Sequence, residues 1–230
     1  MHGMSKLLDV VDRFLVRATV ADVSPVTPRM RRVSLAGEAV RGLDWMPGQH
    51  VRVRVEGMSL RTYSVWQVDG DRLDLGVLDH PEDGPGARWA REARVGQPVA
   101  FMKPEGRMVP RDGAAYHLFV GDETACPAFG AMLAALPAAS RVHGVIEVAA
   151  PSDRMSFGER DLEWVCPKGT DALVAALRAL DLPDEPGVAY IAGEARTCQA
   201  VRRHLQGERG WPRSALVSKP FWTPGRRGMD

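Results

Sequence analysis

Met108-Val109-Pro110-Arg111-Asp112-Gly113-Ala114-Ala115-Tyr116-His117-Leu118-Phe119-Val120-Gly121 is the stretch across which the apolar rhythm of this 230-residue chain changes. On its N-terminal side, from about Phe14, the pattern is short and alternating. Arg32-Val33-Ser34-Leu35, His50-Val51-Arg52-Val53-Arg54-Val55 and Leu73-Asp74-Leu75-Gly76-Val77-Leu78 all have period two, which puts alternate side chains on one face of a strand. Turn signals separate them at Pro47-Gly48, Glu56-Gly57, Asp69-Gly70-Asp71 and Val95-Gly96-Gln97. Many short strands of this kind predict an antiparallel barrel or sandwich. One helical piece interrupts, Ala87 to Ala93, entered through Gly84-Pro85-Gly86.

On the C-terminal side the rhythm becomes strand, helix, strand. Strands are expected at about Tyr116–Gly121, Val142–Ala149, Leu162–Cys166, Val188–Gly193 and Ala215–Trp222, and helices at about Pro127–Leu136, Thr170–Leu180 and Arg196–Gln206. Such alternation predicts a parallel sheet covered by helices. The fold class is therefore an N-terminal antiparallel β-barrel plus a C-terminal α/β parallel-sheet domain. The boundary falls within Pro110–Ala114, giving expected domains of 14–112 and 113–230.

Composition narrows the function classes. The chain carries 30 Lys+Arg against 29 Asp+Glu, for a net charge of +1, and neither half holds a field of one sign. Nucleic-acid binding therefore has little electrostatic support. From Arg209 to Met229, however, there are five basic residues and no acid. No apolar stretch approaches the ~18 residues of a membrane span, and the N-terminus lacks the apolar core of a signal peptide. Cys126, Cys166 and Cys198 are far apart and form no zinc or iron–sulfur pattern, so no metal site is expected and a reducing, cytoplasmic setting is the simplest reading. A monomer without membrane contact is the corresponding expectation.

The sharpest local signal is Pro47-Gly48-Gln49-His50 followed one strand later by Arg61-Thr62-Tyr63-Ser64-Val65. A flavin needs from a barrel a cation on its pyrophosphate, an aromatic against its ring and a small polar group near the ring's reactive nitrogen. Arg61 and Tyr63 share a face, the first suited to phosphate and the second to stacking; Ser64 faces the other way with its backbone N–H within reach of the ring edge. Gly84-Pro85-Gly86-Ala87-Arg88-Trp89 opens a helix with small residues, leaving N–H groups and the positive helix end available to an anion. Trp89 reads as a core anchor.

A barrel followed by an open α/β sheet in this length is the layout of flavin reductases of the ferredoxin-reductase type. More specifically, Arg61-Thr62-Tyr63-Ser64-Val65, His80, the Gly-Pro-x-x-x-Trp helix and Gly121-Asp122-Glu123-Thr124-Ala125-Cys126-Pro127-Ala128 together resemble the siderophore-interacting protein family. Ala192-Gly193-Glu194-Ala195, Val201-Arg202-Arg203-His204-Leu205 and Lys219-Pro220-Phe221-Trp222 extend the resemblance to about residues 14–227. The resemblance implies an FAD-dependent reductase that takes iron from imported ferric siderophores with electrons from NADPH or NADH. It implies flavin contacts at Arg61, Thr62, Tyr63, Ser64 and His80, a pyrophosphate cradle at Gly86, Ala87 and Arg88, and cofactor contacts at Asp122, Glu123 and Thr124, where the first parallel strand ends.

Carboxylates at that strand end repel phosphate unless they are paired, whereas other reductases of this layout carry glycines there. Ser152 and Arg154 suit a 2′-phosphate and Asp153 a ribose hydroxyl, so the choice between NADPH and NADH stays open. For an anionic siderophore the basic candidates are Lys219, on the last strand, and Arg52 and Arg54, which alternate on one face of the strand before the flavin motif. Each is also what a solvated strand face would carry. No GxSxG, HExxH, P-loop or complete GxGxxG is present, which suits chemistry carried by a flavin with no catalytic side chain. Two rival readings remain. One is a reductase of the same architecture serving another acceptor, such as free flavin, a quinone or a partner oxygenase. The other is a siderophore or flavin carrier reduced by ferredoxin.

Overall fold

A computed structural model describes residues 15–57, 59–79 and 84–225. Six strands, β1 (Leu15–Pro25), β2 (Met30–Ala36), β3 (His50–Glu56), β4 (Ser59–Asp69), β5 (Arg72–Leu78) and β6 (Pro98–Met102), close into an antiparallel barrel in the order β1-β2-β5-β4-β3-β6. The alternation seen in the sequence fills it: Val33, Leu35, Val51, Val53, Val65, Leu73, Leu75 and Phe101 are completely buried inside. The expected helix is α1 (Pro85–Glu92), which starts at Pro85 because proline lacks the N–H that a first helical residue leaves unbonded anyway. Its Trp89 and Ala90 plug the barrel core.

The second half holds five parallel strands, β7 (His117–Asp122), β8 (Val142–Glu147), β9 (Glu163–Val165), β10 (Val188–Glu194) and β11 (Leu216–Trp222), in the order β11-β10-β7-β8-β9. Its helices are α2 (Cys126–Ala135), α3 (Thr170–Ala179) and α4 (Ala195–Arg203), the last running into a wider π-turn at His204–Glu208. The chain leaves β7, builds β8 and β9 on one side, then crosses to β10 and β11 on the other. The strand order therefore reverses between β7 and β10.

What joins the two halves is α2. Its sequence, CPAFGAMLAA, is apolar on nearly every side, as a helix buried all round must be. One side packs on Phe119 and Tyr190 of the sheet; the other meets Met30, Leu78 and Trp66 of the barrel. Two barrel glycines permit that approach. A Cβ on Gly76 would stand 2.1 Å from Pro127 Cγ, and one on Gly48 would stand 2.8 Å from Met132 Sδ and 2.0 Å from the Met108 carbonyl. Gly48 also holds φ +93, so the Pro-Gly-Gln turn is a packing device as well as a turn. Gln49 locks it, accepting from the Met46 N–H at 2.9 Å and donating to the Gly106 carbonyl at 3.3 Å. Among the described residues no helix is long and apolar enough to cross a membrane.

Candidate functional site

The first group of residues lies where β4 meets the start of α1. Arg61 and Tyr63 share a face, as their spacing requires, and Gly86 lies against both. A Cβ there would stand 2.5 Å from Tyr63 Oη and 3.3 Å from Arg61 Cγ. The Tyr63 ring stacks on Trp89, centroids 5.6 Å apart, and its hydroxyl is buried without a hydrogen-bond partner. Burial raises that hydroxyl's pKa, so it stays a neutral donor. The Arg61 guanidinium folds back onto Ser59 Oγ at 2.8 Å and the Leu60 carbonyl at 2.7 Å.

The helix opens at Gly84 with no side-chain cap and no acid in its first turn. The Arg88 N–H bonds the Gly84 carbonyl at 3.0 Å, whereas the N–H groups of Gly86 and Ala87 have no acceptor within the helix. Ala87 is buried and Arg88 exposed. A cation, an orphaned buried hydroxyl and an uncapped helix start in one place fit the pyrophosphate end of FAD. Thr62 and Ser64 do not join them. Thr62 is exposed across from Arg52, and Ser64 is buried at the seam, directly opposite His50 and Gly76. His80 lies outside the described residues.

The second group straddles that seam. Lys219 of β11 places its Nζ 2.8 Å from His50 Nδ1 and 3.1 Å from Nε2, across 169 residues of sequence. Glu105 lies 3.7 Å from His50 and 2.9 Å from Arg52 Nε. Burial, then the Lys219 charge, holds His50 down to about 4, so it is neutral at pH 7 and accepts from the lysine. Burial also lowers Lys219, against the pull of Glu105. Two cations, one carboxylate and a neutral imidazole leave this seam net positive. The Lys219 Nζ also stands 5.9 Å from the Phe221 ring. Arg54 lies two residues further along the Arg52 face of β3. His50 carried no assigned role in the sequence, although it closes the Pro-Gly-Gln motif; its partner comes from the other end of the chain.

The third group sits at the carboxyl ends of the parallel strands, where open sheets bind ligands at the point of strand-order reversal. Asp122 ends β7, Glu147 ends β8 and Glu194 ends β10. The Asp122 carboxylate is 1% exposed. Its Oδ1 accepts from the Thr124 N–H at 2.9 Å and from the Thr124 hydroxyl. Its Oδ2 accepts from the Glu194 N–H at 3.0 Å and from Trp222 Nε1 at 2.7 Å. Gly193, at φ +125, lies so close that a Cβ would meet Asp122 Cγ at 2.7 Å.

Glu123, also 1% exposed, pairs with Arg29 Nη1 and Lys168 Nζ, each at 3.1 Å. Glu147 accepts from the Gly169 N–H at 2.7 Å, and burial, reinforced by Asp122 and Glu123, lifts it to about 7. Asp122 and Thr124 thus bond protein groups, and Glu123 holds both cations through Oε1 while its buried Oε2 has no hydrogen-bond partner. Asp122 and Glu123, expected to repel phosphate unless paired, have protein partners, and Asp122 is a staple tying the ends of β7, β10 and β11.

A barrel with a basic, uncapped anion seat, closed against a reversed-order parallel sheet, defines an FAD-binding, reductase-like fold. Residues 114–225 match the family described as siderophore-interacting protein, and residues 54–108 match the siderophore-interacting FAD-binding domain. The chain belongs to the siderophore-interacting protein family. It is 34% identical over 190 residues to the uncharacterized protein Rv2895c of Mycobacterium tuberculosis, covering 73% of this chain and 66% of that one. It is 27% identical over 176 residues to the ferric vibriobactin reductase ViuB of Vibrio cholerae, covering 72% of this chain and 65% of the relative. The chain thus spans just under two thirds of the length of these relatives. Among solved structures, a siderophore utilization protein from T. fusca superposes with a TM-score of 0.80 at 27% identity, over 94% of this chain and 95% of the other.

Proposed function

We propose that this chain is a cytoplasmic FAD-dependent reductase that reduces Fe(III) in ferric siderophores and releases Fe(II), with electrons from NADPH or NADH. The observation that carries the proposal is the seam cluster of Lys219, His50, Arg52 and Glu105, a net positive surface shared by both halves and reached from the barrel face opposite Arg61. An anionic iron chelate is the kind of substrate such a surface attracts. Membership in the family and the resemblance to ViuB support it.

When bound, FAD supplies the conversion of a two-electron donor into single-electron deliveries. The protein's own part is to hold and orient. Arg61 and the Gly86 and Ala87 N–H groups take the pyrophosphate, with Arg88 at the same helix start, and Tyr63 Oη donates to an acceptor it otherwise lacks. Lys219, Arg52 and Arg54 draw in the chelate, and the neutral His50 holds the Lys219 ammonium without cancelling its charge. Hard oxygen ligands bind Fe(III) more tightly than Fe(II), so reduction itself loosens the metal and no protein nucleophile is required.

The carboxylates at the strand ends favour a second reading, in which a reduced protein donor such as ferredoxin replaces the dinucleotide. One anaerobic experiment decides. The purified protein is mixed with NADPH or NADH, then with a ferric siderophore and an Fe(II) trap, while the flavin spectrum is followed. Bleaching by the dinucleotide and recovery on adding the siderophore, with Fe(II) trapped, is expected. Bleaching without recovery transfers the protein to another acceptor, and bleaching only by reduced ferredoxin establishes the second reading. A preparation that takes up no flavin refutes both.

A further inference from the structure

We propose that Trp222 determines access for the electron donor: its indole bars the crevice between β7 and β10, and a nicotinamide dinucleotide enters only when the Asp122–Trp222 hydrogen bond opens. This rests on the NAD(P)H-dependent function proposed above.

The geometry follows from strand order. β11 is the edge strand and β10 lies between it and β7. Trp222 pairs in register with Glu194, the last residue of β10. Yet its Nε1 reaches past β10 to the carboxylate that ends β7, at 2.7 Å. The half-buried indole therefore spans the place where the strand order reverses, which is where dinucleotides bind in sheets of this kind. Lys168 pins it from another side, with Nζ 5.0 Å from the ring centroid.

The bar is built so that it can lift. If Trp222 leaves, the Asp122 carboxylate still accepts from the Thr124 N–H, the Thr124 hydroxyl and the Glu194 N–H, so no buried charge is stranded. Lys168 loses the ring but keeps Glu123, which Arg29 also neutralises. Opening thus gives up one charge-assisted hydrogen bond and one cation–ring contact, and exposes an ammonium beside the vacated space for a phosphate to meet. Lys168 and Arg29 neutralise Glu123, Arg29 also lies 3.9 Å from Asp153, and the indole stands across the path a dinucleotide would take.

The test uses the full-length, FAD-loaded protein with 15N-labelled tryptophan, beside Trp222→Phe, which keeps an aromatic ring but cannot donate. Oxidised NADP+ and NAD+ are titrated calorimetrically into both, and the indole N–H resonances of the wild type are followed at saturation. Removing one hydrogen bond to a charged group predicts binding about tenfold tighter in Trp222→Phe. In the wild type, the Trp222 resonance, assigned by its loss in the variant, should shift and exchange faster with solvent as the dinucleotide saturates. Equal affinities in two equally FAD-loaded proteins, or an unmoved resonance at saturation, would overturn the gate while leaving the NAD(P)H-dependent function standing. Binding to neither protein, both holding FAD, would remove that function and the gate with it. If Trp222→Phe fails to fold, the wild-type resonance, assigned by conservative substitution of the other tryptophans, decides alone.

Discussion

The start of α1 and the ends of the parallel strands are both places where backbone geometry suits an anion, yet this chain furnishes them with opposite charge. At α1 there is no acid in the first turn, Arg61 stands beside it and Gly86 keeps the approach clear. At the strand ends Asp122, Glu123, Glu147 and Glu194 converge, and most of their capacity is spent on protein donors. The first place leaves a buried hydroxyl without a protein partner, and the second holds three strands together. In the function proposed above, this opposite charge separates a cofactor seat from a crevice whose occupant displaces Trp222.

If Asp122 is a staple, Asp122→Ala should produce the largest effect. It leaves the Thr124 N–H and hydroxyl, the Glu194 N–H and the Trp222 indole without their acceptor. A loss of about 4 kcal/mol in urea unfolding is expected; a loss below ~1 kcal/mol would mean the carboxylate is not structural.

Glu147 sharpens the contrast through pH. Its folded-state pKa of about 7 lies above the ordinary 4.5, so between those values the folded protein holds a proton that the unfolded chain releases. Its contribution is therefore most favourable at low pH, falls as the pH rises from about 4.5 to 7, and levels off above. Glu147→Gln should remove this slope and leave the protein more stable at pH 8 by about 3 kcal/mol, read from unfolding curves across the range.

At the other region, Gly86→Val drives methyl groups into Tyr63 Oη and Arg61 and pushes the helix start away from β4. FAD titrated into the apoprotein should bind about 30-fold more weakly, roughly 2 kcal/mol of overpacking. Undiminished affinity would detach this face from the flavin.

Much of the fold was legible because its periods are fixed by covalent geometry. Arg61 and Tyr63 had to share a face two residues apart, and the change of rhythm after Asp112 had to mean a change of architecture. The site was legible only as far as local spacing reaches. That Lys219 would sit on His50 depends on how two halves pack, which no local pattern encodes. At Asp122 the position was right, since the end of β7 does lie at the strand-order reversal, but a sequence does not distinguish a carboxylate facing solvent from one holding four internal donors. The hydrogen bond from Trp222, 100 residues away, makes that difference. Glu105 and Lys168 escaped notice for the same reason, since neither sits in a motif.

The apolar helix α2 limits how this molecule can move. Its residues complete the barrel's outer packing on one side and the sheet's on the other, so rotating the halves apart would expose a nearly all-hydrocarbon helix to water. The seam is a weld, not a hinge. Ligand entry is then expected to be managed by small parts, a strand-end side chain or a turn, with α2 holding the two halves together.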